Sequence, residues 1–216
     1  MSSTTPERLS IEGPGGALQV LVEPPAPSSA QTDGVGVTVV CHPHPLHGGT
    51  MDNKVTYTLA RTMNLLGRAA VRFNFRGVGE SEGMHDDGHG EREDVLAVAG
   101  WAAARFPARP LWLAGFSFGA CMAAAAADEV GAERLALVAP AADRYGMAQV
   151  SVSVPIVLAQ GLADDVVSPE AALQWAHRQQ GGVTVLEFED VGHFFHGAQV
   201  SLRTRLLEAL GAKEAP

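Results

Sequence analysis

Residues 111–120 read LWLAGFSFGA, and the pentad Gly115-Phe116-Ser117-Phe118-Gly119 sits at their centre. Leu111 to Ala114 is an apolar run of strand length. Ala120 to Ala127 is an alanine-rich helix. A Gly-x-Ser-x-Gly turn between a strand and a helix holds its serine in strained backbone with the hydroxyl exposed. The helix N-terminus then points N–H groups at any negative charge that develops there. The plainer alternative is a glycine-rich turn with an incidental serine. The strand and the helix that the motif requires are both present, which makes Ser117 the candidate nucleophile.

The same alternation extends outward on both sides. Val35 to Cys41, Ala69 to Phe75, Leu135 to Ala139, Ile156 to Ala159 and Val183 to Phe188 read as strands. Between them Thr56 to Leu66, Asp94 to Phe106 and Glu170 to Gln179 read as helices, and Ala198 to Leu210 as a closing helix. Upstream, Leu9 to Ile11 and Ala17 to Val22 flank EGPGG and predict a β-hairpin, followed by a loop from Pro24 to Gly34. Strand–helix alternation from residue 35 to 210 predicts one α/β domain with a mainly parallel sheet and helices on both faces. Ligands in such sheets sit at the carboxyl ends of the strands. Those ends read CHPHPLHGG, NFRGVGESEG, GFSFGA, APAADRYG, QGLADDVVSP and EDVGHFFHG.

Composition narrows the function. The 216 residues are 46% hydrophobic and 18% charged, with a net charge of -9, so a folded domain is expected. The acidic balance argues against nucleic acid as a partner. Two cysteines, Cys41 and Cys121, do not make a disulfide framework and fit a reducing compartment. No signal-peptide pattern or membrane-length apolar run is legible, so a cytoplasmic location is expected. No Gly-x-Gly-x-x-Gly follows the first buried strand, and RGVGESEG lacks the Lys-Ser/Thr of a phosphate loop, so no cofactor is expected. His42, His44 and His47 have spacing that could suggest a metal, but no further ligand lies adjacent, and no metal is expected.

A serine hydroxyl needs a base to take its proton, and the base needs an orienting acid. In this fold the chain order is serine, acid, histidine. GLADDVV offers Asp164 and Asp165, and composition alone separates neither. VGHFFHG offers His193 and His196, with Asp190 three residues before His193.

The ordered motifs HPHPLHGG, RGVGESEG, GFSFG, GLADDVV and GHFF resemble the α/β-hydrolase superfamily, specifically its small, lidless carboxylesterase-like members. The resemblance spans nearly the whole chain and implies a twisted sheet of about eight strands with no cap domain. It implies Asp164, in Gly161-Leu-Ala-Asp164, as the acid and His193, in Gly192-His193, as the base. Residues 140–155, between two strands, are too few for an inserted cap, which implies an open site tolerant of varied acyl groups.

CHPHPLHGG ends the first buried strand, where this fold places a second oxyanion donor beside the Phe118 N–H. Proline has no N–H, which removes Pro43 and Pro45. Laid on the His-Gly-x-x-Gly turn with His44 first, the donor is Leu46, and this register also matches the glycine. With His42 first, the donor is His44. The expectation is a serine esterase acting on small-molecule esters through an acyl-enzyme. A thioesterase, an acyltransferase and a non-catalytic binding protein of the same fold are the alternatives.

Overall fold

The computed structural model describes residues 5–26 and 35–211, so part of the expected loop at 24–34 lies outside the described residues. Eight strands form one sheet: β1 (Glu7–Gly13), β2 (Gly16–Glu23), β3 (Gly36–Cys41), β4 (Arg68–Phe73), β5 (Leu111–Phe116), β6 (Arg134–Val138), β7 (Ile156–Gly161) and β8 (Val183–Phe188). Their order across the sheet is β1-β2-β4-β3-β5-β6-β7-β8. The β1–β2 hairpin pairs antiparallel with β4, and every pairing from β4 to β8 is parallel. This is the expected α/β-hydrolase architecture.

Burial follows from that topology. Every residue of β3, β4 and β7 is buried, as expected for parallel strands covered on both faces. The edge strand β8 instead alternates exposed and covered positions through Leu186 and Phe188. Five helices cover the sheet: α1 (Lys54–Leu65), α2 (His89–Arg105), α3 (Phe118–Ala126), α4 (Pro169–His177) and α5 (Gln199–Gly211). Helix α1 packs on α5, and α2 packs on α3.

Several boundaries differ from the sequence expectation, most consequentially at α2 and around Ser117. Helix α2 begins at His89, five residues before Asp94. Hydrophobic periodicity starts late there, but the buried Glu91 carboxylate accepts the N–H groups of Gly88 (2.9 Å) and Asp86 (3.1 Å) and anchors an earlier, polar first turn. Strand β5 runs on to Phe116 and α3 begins at Phe118, leaving Ser117 alone between them.

Register aligns the strand exits. Cys41 pairs with Gly115, Phe116 with Val138, Val138 with Ala159, and Gly161 with Phe188. The ends of β3, β5, β6, β7 and β8 therefore lie along one edge. Among the described residues, the β6–β7 connection holds no element longer than the 3-10 turn Met147–Gln149. Leu113 lies fully buried in β5, three residues before Phe116. Leu113→Ala should lower unfolding free energy by about 2–5 kcal/mol, read from urea midpoints at unchanged m-value.

Candidate active site

The turn at Ser117 is built from close backbone approach. Ser117 has φ 56° and ψ -117°, a sparsely populated conformation that costs on the order of 1–3 kcal/mol for a residue with a Cβ. Its glycine neighbours make the turn possible. A Cβ on Gly115 would lie 2.3 Å from Gly119 O, and one on Gly119 would lie 2.3 Å from His42 O and 2.5 Å from Cys41 O. The start of α3 is thus pressed onto the exit of β3. Ser117 N–H donates to Val138 O at 2.9 Å, which ties the turn to β6 as well.

Ser117, His193 and Asp164 come together from three strand ends. Ser117 Oγ lies 3.0 Å from His193 Nε2, and His193 Nδ1 lies 2.7 Å from Asp164 Oδ2. Asp164 is an acceptor only, so Nδ1 carries the proton and Nε2 offers its lone pair to the serine hydroxyl. The Ser117 and His193 residues are 7% and 3% exposed. A hydroxyl so placed can pass its proton to the imidazole as it attacks an electrophilic carbon.

The carboxylate is held from several sides. Asp164 Oδ1 accepts the N–H groups of Val166 and Val167, both at 2.9 Å. Burial by itself would raise the pKa of Asp164. The bonds from His193, Val167 and Val166 outweigh it and hold the carboxyl below its ordinary value. Asp165 and Asp190 are exposed, and His196 is exposed beyond the turn.

Sequence reading missed Gln160, a buried amide at the end of the apolar strand β7. Its Nε2 donates to Gly161 O at 2.9 Å and reaches Asp164 Oδ2 at 3.4 Å. The available signal was a lone polar residue in IVLAQG, just before the acid loop.

The histidine-rich loop after β3 is a strand exit, and its side chains are engaged. His42 is buried, its Nε2 accepts the Phe75 N–H at 3.0 Å, and its Nδ1–H donates to Pro43 O at 2.6 Å. Both ring nitrogens are used, so His42 offers no lone pair to a metal. Burial drives its pKa down to about 4. Gly49 closes the loop where a Cβ would fall 2.1 Å from Pro43 O.

The backbone amides of Leu46 and His44, the two expected candidates for the second oxyanion donor, differ in what they meet. The Leu46 N–H turns back to donate to His44 Nδ1 at 3.2 Å, capping the 3-10 turn Pro45–His47, and Leu46 is 70% exposed. The His44 N–H meets no acceptor among the described residues. The His44 ring lies 5.0 Å from that of Phe118. Phe118 opens α3, so its N–H lies in the first turn, where an intrahelical acceptor does not exist. Among the described residues the amides of His44 and Phe118 thus meet no acceptor, while the Leu46 amide is committed to a cap.

This geometry has relatives. A lidless α/β serine hydrolase of Xanthomonas campestris is 37% identical, with a TM-score of 0.90 over 100% of this chain and 99% of that one. An α/β serine hydrolase homologue of Coxiella burnetii is 40% identical, with a TM-score of 0.88 over 94% of this chain and 97% of that one. The chain belongs to the α/β serine hydrolases without a lid. Residues 44–149 of the hydrolase also match the family described as serine aminopeptidase, S33. An uncharacterised protein of Rickettsia prowazekii is 40% identical over 97 residues, 44% of the hydrolase, and the match spans 41% of that protein's length. No helix among the hydrolase's described residues is long and apolar enough to cross a membrane.

The depressed Asp164 pKa has a consequence for stability. A carboxylate whose folded pKa lies below its unfolded value of about 4 contributes stability above that pH, and loses it as pH falls through the folded value. Asp164→Asn should therefore flatten the acid limb of the stability profile, read by urea unfolding in steps from neutral pH to pH 3.

Proposed function

We propose that the hydrolase cleaves small-molecule carboxylic esters through an acyl-enzyme on Ser117. The reading rests on one observation, the connected chain from Ser117 Oγ through His193 to Asp164 at 3.0 and 2.7 Å. In the proposed reaction Ser117 attacks the acyl carbon while His193 Nε2 takes the hydroxyl proton. His193 then gives that proton to the leaving alkoxide. Asp164 holds the tautomer and stabilises the imidazolium. Water, activated by the same Nε2, releases the acid. We assign the oxyanion to the N–H groups of Phe118 and His44, in place of the expected Leu46, because the Leu46 donor is spent on its own turn.

Esters are preferred over peptides because an alkoxide leaves more readily than an amine, and the short β6–β7 connection offers no cap to select a peptide chain. The short β6–β7 connection supports a broad acyl range, and the buried free thiols of Cys41 and Cys121 support work in the cytoplasm. Thioester cleavage and acyl transfer would use the same groups.

An active-site phosphonate should label the protein, and Ser117→Ala should abolish both labelling and turnover. A panel of an ester, a thioester and an aminoacyl amide sharing one acyl group should show the ester turned over. Short and long acyl chains should give similar rates. Labelling without turnover of any of these substrates would overturn the ester reading.

The oxyanion assignment has its own test. His44 has φ -51°, which proline tolerates, so His44→Pro removes the N–H while keeping that φ. It should lower kcat by about 10²–10³-fold, the usual effect of losing one oxyanion donor. His44→Ala, which keeps the N–H, should lose far less, and Leu46→Pro should resemble Leu46→Ala.

A further inference from the structure

We propose that the exposed ring of Phe194 is the platform on which the leaving alcohol of the ester lies, and that it gives the hydrolase a preference for esters of aromatic alcohols. The inference rests on the ester-hydrolase reading above and deepens it.

Proton transfer fixes where the alcohol must lie. In acylation the Ser117 Oγ–carbon bond forms and the carbon–alkoxy bond breaks. The proton moves from Ser117 Oγ to His193 Nε2 and from there to the departing oxygen, so His193 ends neutral. The leaving oxygen must therefore come within about 2.6–3.2 Å of Nε2. The alcohol's carbon skeleton begins one bond from that point, so it lies over whatever surface adjoins the imidazole.

Two aromatic rings adjoin it. Phe116 lies 4.9 Å away but is fully buried. Phe194 stands edge-on to His193 at 5.0 Å and 84° and is 44% exposed. On the other side of the imidazole Nδ1 is closed by Asp164. Of the two rings beside the imidazole, Phe194 is the exposed one.

That face is held in place. Phe195 follows with φ 51°, an outlier conformation for a bulky residue, and is locked by burial with its ring 5.3 Å from that of Phe188. The strained step sends His193 inward, Phe194 outward and Phe195 into the core. The Phe194 ring is flanked by Phe116 at 6.2 Å and His196 at 5.8 Å. The neighbouring acid loop is tied on by Leu162 N–H to Phe188 O at 2.8 Å and Ala163 N–H to Val191 O at 3.1 Å. That loop carries the exposed side chains of Leu162 and Val166. An aryl group entering this surface meets an aromatic partner in the edge or offset geometry that rings favour.

The test uses two esters of one acid, a phenyl-type ester and a methyl ester. Both pass through the same acyl-enzyme and differ only in what leaves. The ratio of their kcat/KM values, corrected for the ratio of uncatalysed hydrolysis, should fall about five- to tenfold in Phe194→Ala. It should fall less in Phe194→Leu and be restored in Phe194→Tyr. Rapid-quench measurements should place the loss in acylation, since the alcohol is gone before the acyl-enzyme hydrolyses. An equal loss on both esters would overturn the proposal, because Phe194 would then act only as a support for His193. An unchanged ratio would also overturn it. If no ester is turned over and Ser117 resists labelling, the ester reading itself fails. Ser117-dependent turnover with an unmoved ratio removes this inference alone.

Discussion

The site depends on a single backbone contact, the seating of Gly119 against the carbonyls of Cys41 and His42. No side chain fits between them. Because β5 has no spare residue between Phe116 and Phe118, the close approach forces Ser117 into its strained conformation. The strain persists because the surroundings over-determine it: β3 on one side, β6 on the other, and a helix that cannot start elsewhere. The same contact sets the start of α3 beside the loop after β3, where the His44 ring lies 5.0 Å from that of Phe118. One steric constraint thus sets the nucleophile turn and the loop beside it.

The polar groups around the turn are fixed by bonds to backbone rather than by solvent. Asp164 is held by two amides of its own loop, and His42 is pinned between the exits of β3 and β4. Donors and acceptors fixed in advance need not reorganise when charge appears, and that is where electrostatic catalysis draws most of its energy. Burial supports this on the loop side. It keeps His42 neutral, so its ring works as a two-ended hydrogen-bonding brace and adds no charge beside the serine.

Much of the fold was legible because its signals are local. The β-branched run VGVTVVC, the apolar LWLAG and the alternation with alanine-rich helices needed only composition and spacing. The start of α2 was not legible, because it depends on Glu91 folding back onto Gly88, in a stretch whose letters read as polar loop. The engagement of the Leu46 amide was hidden for a similar reason. Counting along HPHPLHGG gives two registers, and what separates them is where the His44 ring turns, a side-chain choice of which the spacing carries no trace. Gln160 and Phe194 share this limit. Each is an ordinary letter in a strand or turn, and each draws its meaning from a neighbour 4 residues or one residue away whose orientation only the folded chain fixes.

The short β6–β7 connection has a kinetic meaning. Enzymes with mobile caps often spend their turnover time opening and closing, and they use substrate binding energy to drive that closure. A connection whose longest element is the turn Met147–Gln149 has nothing to swing shut. Nothing in that connection has to open before a product leaves. With no cap to open, such an enzyme should be limited by bond making and breaking. Its rate should be insensitive to solvent viscosity, unlike that of a gated relative.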